Sequence, residues 1–479
     1  MSLWSPIRPP IRGKVGGIGT RVPQPVKNKP PFLGRFYRLG FALFLALSLF
    51  APSAKAQAPA FSYIRDAEVE ETVRQMADPL LYAAGLEPSA VKIFILNNKN
   101  LNAFVAGGQN IFIHTGLLIR SENAEQVMGV LAHEIGHIAG GHIARRDAEI
   151  QDARSQAWIT AILAGAASVA LGRAEAASAV MTAGSLTVQN SLLAFSRTQE
   201  RSADQAGISF LASIGQSPRG LLEFFTVLQK ETRFLVSQTN PYLQTHPLTQ
   251  ERITNMQEAL EHSRYQTAAP SAELEMRHAR LRAKLMGFLD NPDRTLGFYA
   301  ADDKSFAARY GRAIAQYKQG KLDEALAAIH QLEKENPKDG YLYELEGQML
   351  FENSRIDKAI AVYRKALSLQ PQQPLIRLSL GQALLESNDK AFLEEAIALI
   401  EDAARYEPLY PVVWRLAAIA YGRKGDMGNA ALALAEQALT ERRTADAQLQ
   451  AQRALQLLPA NSPAARRAQD IKAQTAPKT

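Results

Sequence analysis

The stretch "GVLAHEIGHIAGGHI", residues 129–143, gathers His133, Glu134, His137 and His142 into a short apolar run. Val127, Val130, Leu131, Ile135 and Ile138 recur at three-to-four spacing, which predicts an amphipathic helix. Ser121 is its expected N-cap, with Glu122 and Glu125 in the first turns. On such a helix His133 and His137 stand one turn apart on one face, so both imidazoles reach a single metal ion. Glu134 lies beside the first of them, placed to take a proton from a water activated there. His142 is five residues past His137, about 140° around the helix. It reads as a surface histidine or as one that supports a ligand from behind. A third histidine six residues after the second would complete a different ligand pattern, but that position is Ile143.

A catalytic metal of this type needs a third protein ligand and an open fourth position. "SRTQERSADQAGISFL", Ser196–Leu211, reads as a helix carrying Glu200 and Asp204 on one face. Glu200 would complete a His-His-Glu set. Asp204 would stand behind it, accepting a hydrogen bond from a ligand imidazole and fixing its tautomer. The competing reading pairs Glu200 with Arg197 or Arg201 on a solvated face. The donor set favours Zn2+, one per chain. Upstream, "VKIFILN" (Val91–Asn97) and "QNIFIHTG" (Gln109–Gly116) read as strands. The second is expected to be the edge of a cleft, where an extended peptide adds by main-chain pairing. Asn102, Ala103 and Phe104 would line that cleft.

From about residue 300 the sequence repeats. Pro337, Pro371 and Pro408 are 34 and 37 residues apart. Counted from Phe306, Gly340, Pro374 and Pro411, the residues Ala325, Ala359, Ala396 and Ala430 share one column after an insertion near Asn388. Gly347 and Gly381 share a second column, Gly320 and Gly425 a third, Ala366 and Ala403 a fourth, and Trp414 and Tyr421 supply an aromatic pair. This is the period and column set of a tetratricopeptide array, stacked helix pairs that curve into a protein-binding groove.

The 479-residue chain has no cysteine, which excludes disulfides, thiolate metal sites and a cysteine nucleophile. Its net charge of +7 belongs to the start of the chain. Residues 1–56 hold nine basic residues and no acidic one, leaving 45 basic against 47 acidic elsewhere. The remainder has no excess positive charge for phosphates, so nucleic acid is not an expected partner. "LGFALFLALSLFA" (Leu39–Ala51) followed by "SAKAQA" reads as a secretory signal cleaved after Ala56, in preference to an uncleaved anchor. The uncharged stretches Ser155–Gly172 and Ala176–Ser196 read as a helical hairpin over the domain, with peripheral membrane contact through 155–196 as the alternative.

The blocks "NAFVAGGQNIFIHTGLL", "LAHEIGHIAGGH", "RTQERSADQAG" and "THPLTQERI" occur here in order. Together they resemble the membrane-associated zinc metalloprotease family of the CAAX prenyl protease and mitochondrial overlapping-activity protease type. The signal segment and repeats make the chain most similar to the periplasmic members of that family. The resemblance implies a gluzincin-like domain with His133, His137 and Glu200 on zinc and Glu134 as base. It also implies a periplasmic endopeptidase that degrades misfolded or stalled outer-membrane proteins and assists their assembly. In "THPLTQER", His246 is either a regulatory fourth ligand that holds the enzyme latent, the reading preferred, or a transition-state stabiliser. Arg252 is a support residue or shares that stabilising role.

The fold class expected is α+β and mostly helical, a gluzincin-like metalloprotease domain followed by an all-α tetratricopeptide superhelix. The expected organisation is a signal peptide at 1–56, a protease domain at 57–265, a helical connection at 266–300, repeats at 301–460 and a flexible tail at 461–479. Expected partners are unfolded outer-membrane proteins and, through the groove, their assembly machinery. A rival reading is a chaperone or scaffold acting mainly through tetratricopeptide binding, with minor proteolysis.

Overall fold

The computed structural model of the chain describes residues 63–145, 196–234 and 241–476. The expected signal segment, residues 155–195 of the expected 155–196 hairpin, and residues 477–479 lie outside the described residues. The chain is mostly helical with one small sheet. Its first half runs β1 (Tyr63–Ile64), α1 (Ala67–Ala83), β2 (Lys92–Leu96), β3 (Ala103–Ala106), β4 (Asn110–His114), α2 (Thr115–Arg120) and α3 (Ala124–Ala139). The strand order is β1-β2-β4-β3, with β2 and β4 parallel and both outer pairs antiparallel. Period-two alternation sends Ile95, Val105, Ile111 and Ile113 into the core. On the opposite face Phe94, Phe112 and Phe104 stack across strands at 5.1 and 5.0 Å.

The expected edge strand is corrected here. β4 lies inside the sheet, whose edges are β1 and β3. Gly107 and Gly108 adopt φ of 59° and 90°, conformations open to glycine, and fold 103–106 back against the outer side of β4. The cap of α3 is also corrected. Ser121 ends α2, its Oγ donating to the Leu117 carbonyl, and Asn123 caps α3 by accepting from the Gln126 N–H.

α3 is the buried spine of this half. α4 (Arg197–Ser213) starts with a reciprocal Ser196–Gln199 capping box. It crosses α3 at van der Waals contact because both helices carry glycine at the crossing. A Cβ on Gly136 would lie 2.6 Å from the Ala203 carbonyl oxygen, and one on Gly207 would lie 3.2 Å from the Ala132 backbone. That crossing sets which α4 side chains face the histidines. α5 (Arg219–Phe234), the short α6 (Pro241–Thr245) and α7 (Gln250–Glu261) follow.

The span expected as a connection holds α8 (Ala272–Leu289) and α9 (Pro292–Phe298), and α8 is largely buried. Its Lys284, fully buried, meets Asp66, Glu68 and Glu344 at 2.8, 3.3 and 3.4 Å. Arg280 pairs with Glu68 and Asp339, and the Tyr310 hydroxyl donates to Glu68 at 2.8 Å. This buried charge cluster ties the start of the first half to the repeats. Burial followed by the charges of Asp66 and Glu68 lifts the Glu344 carboxyl to about 7 despite Lys284. Such clusters add little net stability but penalise any other seating of the two halves.

The repeats are α10 (Phe306–Lys318) with α11 (Leu322–Glu335), α12 (Gly340–Glu352) with α13 (Ile356–Leu369), α14 (Pro374–Glu386) with α15 (Leu393–Tyr406), and α16 (Pro411–Lys424) with α17 (Met427–Thr440). Helices α10, α12, α14 and α16 start at the four residues from which the repeat columns were counted. The column Ala325, Ala359, Ala396 and Ala430 is buried. The fifteenth position is a left-handed turn in every unit: Gly320, Ser354, Asn388 and Gly425, with φ of 82°, 59°, 55° and 84°. α18 (Thr444–Leu457) and α19 (Pro463–Gln474) complete the array. The expected flexible tail is therefore corrected over its first part. Ser462 caps α19, and its Ala465, Ala468 and Ile471 are buried. Those three alanine and isoleucine positions form an apolar stripe at helical spacing. Among the described residues no helix is long and apolar enough to cross a membrane.

Candidate metal centre

The α3–α4 crossing brings Glu200 opposite His133 and His137. His133 and His137 approach through their Nε2 atoms, 3.2 Å apart. Glu200 Oε2 is 3.5 Å from His133 Nε2 and its Oε1 is 3.4 Å from His137 Nε2. The residues after α6 return His246 to the same point, with Nδ1 3.0 Å from Glu200 Oε1 and 3.3 Å from His133 Nε2. One donor atom from each of His133, His137, Glu200 and His246 lies within 4.8 Å of the others, and all four residues are buried.

These distances fit a metal ion. A tetrahedral centre with ligands at about 2.0–2.1 Å has ligand–ligand edges of about 3.3–3.4 Å. The electrostatics agree. Asp204 Oδ1 lies 2.9 Å from His133 Nδ1. Burial raises the Asp204 carboxyl, but bonds from Arg252 and His133 outweigh this and hold it low, so it accepts and His133 Nδ1 carries the proton. The lone pair of His133 Nε2 then faces the centre. Burial lowers His133 as well, yet Asp204 and Glu200 outweigh it and leave the ring raised. Burial dominates at His137, which is held well below its ordinary value and so kept neutral. Glu200 is pulled down by His246, His137 and His133 against its burial. Nitrogen and carboxylate donors converging on one buried point offer the ligand set that a divalent cation takes.

Glu134 points beside this set. It is fully buried, burial pushes its carboxyl up, and neither oxygen has a hydrogen-bond partner among the described residues. Its Oε1 is 3.5 Å from His246 Nε2. The buried carboxylate therefore stands directly beside the converging donor atoms.

Arg252 is buried behind the ligands. It donates to both Asp204 oxygens at 2.7 and 2.8 Å, pairs with Glu200 Oε2 at 2.6 Å and donates to the Pro247 carbonyl at 3.0 Å. The guanidinium is thus engaged with Asp204, Glu200 and Pro247 behind the converging donor atoms. Arg201, the rival partner for Glu200, pairs instead with Glu251 at 2.8 Å.

Two features were open or unseen in the sequence. His142 is buried, not on the surface, with Nδ1 3.0 Å from His137 Nδ1. Gly141 at φ 64° turns the chain, and Gly140 leaves room for the ring, since a Cβ there would come within 2.6 Å of it. The Gly-Gly before His142 is the signal that places it. Tyr242, unnoticed in the sequence, stacks on the His246 ring at 4.7 Å, and its carbonyl accepts the His246 N–H at 2.7 Å. Their i, i+4 spacing was the available clue.

Two histidines one turn apart with a carboxylate between them, and a glutamate from a crossing helix, define a metallopeptidase-type domain of the HExxH class. Joined to it is a tetratricopeptide array. Comparison with known proteins narrows the class. Residues 64–260 match Peptidase family M48, and residues 310–374 and 350–420 match tetratricopeptide repeat families. The chain therefore carries a Peptidase family M48 domain followed by tetratricopeptide repeats. A Vibrio cholerae relative is 30% identical over 286 residues, 58% of either chain. The beta-barrel assembly-enhancing protease of Yersinia pestis is 26% identical over 388 residues, 78% of this chain and 75% of that one. The mitochondrial metalloendopeptidase OMA1 of Arabidopsis thaliana is 30% identical over 167 residues, 35% of this chain and 31% of that one. The chain thus spans little more than half the length of the Vibrio relative.

Proposed function

We propose that this chain is a periplasmic zinc-dependent endopeptidase that acts on misfolded or stalled outer-membrane proteins. The observation that carries the reading is the convergence of His133, His137, Glu200 and His246 on one point, with Glu134, buried and making no hydrogen bond among the described residues, beside it. Relatives named for beta-barrel assembly support the substrate class. His133, His137 and Glu200 hold the ion. Zinc bound there supplies Lewis-acid activation of water and of the scissile carbonyl. Glu134 takes the proton of the attacking water and delivers it to the leaving amine. Asp204 and Arg252 keep His133 in its donor tautomer and Glu200 in place. β3, one of the two sheet edges, offers main-chain pairing to an extended substrate. The repeats recruit clients or an assembly machine.

His246 fills the fourth position of the ligand set, and this seating supports the latch reading over the transition-state one. In the latched state binding through the repeats is the main output, which favours the scaffold reading for that state alone. The test is degradation of an unfolded porin by the full chain, with zinc content measured for wild type, Glu134→Gln and His246→Ala. Retained zinc in all three, no cleavage by Glu134→Gln and faster cleavage by His246→Ala support the reading. Loss of cleavage in His246→Ala refutes the latch, and wild type without zinc refutes the ligand set.

A further inference from the structure

A second group of potential ligands lies in the repeats. His330 and Glu333 stand one turn apart on α11, and Glu346 faces them from α12 in the next unit. We propose that His330, Glu333 and Glu346 form a second divalent-cation site of the zinc class, bridging the first and second tetratricopeptide units. None of its residues belongs to the M48 domain, so it stands apart from the reading given above.

The geometry supplies a nitrogen and two carboxylates at ligand spacing. One donor atom from each residue lies within 4.8 Å of the others. His330 Nε2 is 2.8 Å from Glu346 Oε1. The decisive residue is Glu333, which is 8% exposed and whose buried Oε1 has no hydrogen-bond partner among the described residues. A helix pair held only by packing would place an apolar side chain there. Burial first, then Glu346's charge and a carboxyl–carboxyl hydrogen bond to Glu346, push the Glu333 carboxyl up to about 8, and no basic side chain offsets them. His330 can neutralise one carboxylate at most, and only when protonated. A divalent cation neutralises both and takes the neutral imidazole as its third donor. One nitrogen with two oxygens suits zinc and its neighbours better than calcium or magnesium. Access is open, since the His330 side chain is half exposed. It lines a groove of about 440 Å³ together with Leu326, Glu346, Arg355 and Lys358. An ion there would tie α11 to α12 and stiffen the unit boundary beside that groove.

The test is calorimetric titration of the full chain, already carrying one zinc at the M48 centre, with zinc chloride at pH 7. The proposal expects one additional ion per chain. His330→Ala and Glu333→Gln each weaken that event at least about tenfold, as loss of a ligand requires. Glu333→Gln is isosteric and removes the cost of holding a buried carboxyl protonated, so with one zinc bound the variant melts at or above the wild-type temperature while losing the further rise in Tm that a second zinc gives. His330 is at the surface, and unchanged helical circular dichroism verifies its fold. Absence of additional uptake, or wild-type uptake by both variants, overturns the site and leaves a proton-sharing carboxyl pair in its place.

Discussion

The α3–α4 crossing carries the ligand geometry, and Gly136→Ala tests it directly. The new Cβ would stand 2.6 Å from the Ala203 carbonyl oxygen, where ordinary contact begins at 3.4 Å, a shortfall of 0.8 Å. The obstacle is backbone, so the helices must part or shear by most of that distance. Glu200 and Asp204 lie within one turn of Ala203 on the same helix and move with it. Metal sites tolerate displacements of only about 0.2 Å at each ligand. Metal affinity is therefore expected to fall by at least about tenfold, the scale of disturbed ligand support. Stability changes less. Alanine gains about 1 kcal/mol of helix propensity over glycine, against about 1–3 kcal/mol for overpacking. The net loss is up to about 2 kcal/mol. The assay is chelator competition for bound metal, alongside denaturant unfolding of the chelated protein. Gly422→Ala on α16 is the control, because a Cβ there meets nothing within 4 Å. It is expected to gain up to about 1 kcal/mol and to leave metal retention unchanged. Metal held by Gly136→Ala as tightly as by wild type would refute the claim that this crossing sets the site.

Other outcomes follow from the same contacts. Arg252→Met leaves Asp204 and Glu200 buried without their cation, and the metal-free protein is expected to lose about 3–5 kcal/mol in urea unfolding; a loss under about 1 kcal/mol would contradict this. His142→Ala removes the partner of His137 Nδ1 and should lower metal affinity about 10–100-fold, with partial rescue by His142→Gln, measured by chelator competition. His278, 1% exposed on α8, is held down to about 4 by burial and then by Arg282. Its folded value lies below the ordinary 6.5, so its contribution is present above about pH 6.5 and is lost as pH falls towards 4. His278→Leu should reduce the stability lost over that window by about 3 kcal/mol, and an unchanged pH profile would reject the assignment.

The sequence alone determined whatever rests on short spacing. His133 and His137 share a helix face because four residues make about one turn. The repeat columns fell on helix starts, buried alanines and left-handed turns because each unit is built by its own local packing. The Glu200–Asp204 pairing on one helix face was legible for the same reason, and the family blocks pointed to its use. Tertiary structure decided everything that needed segments far apart to meet. Gly136 and Gly207 reveal their purpose only when two helices cross, and that crossing turns Glu200 towards the histidines and away from Arg201. The sheet edge passed from β4 to β3 because a glycine turn folds the preceding residues outside it. Lys284 is a surface residue by composition and a buried hub only where Asp66, Glu68 and Glu344 surround it. His330 and Glu346 likewise belong to successive units and become neighbours only through stacking. Local periodicity is a property of the backbone and can be read along the chain, whereas burial of charge depends on what the rest of the fold brings to it.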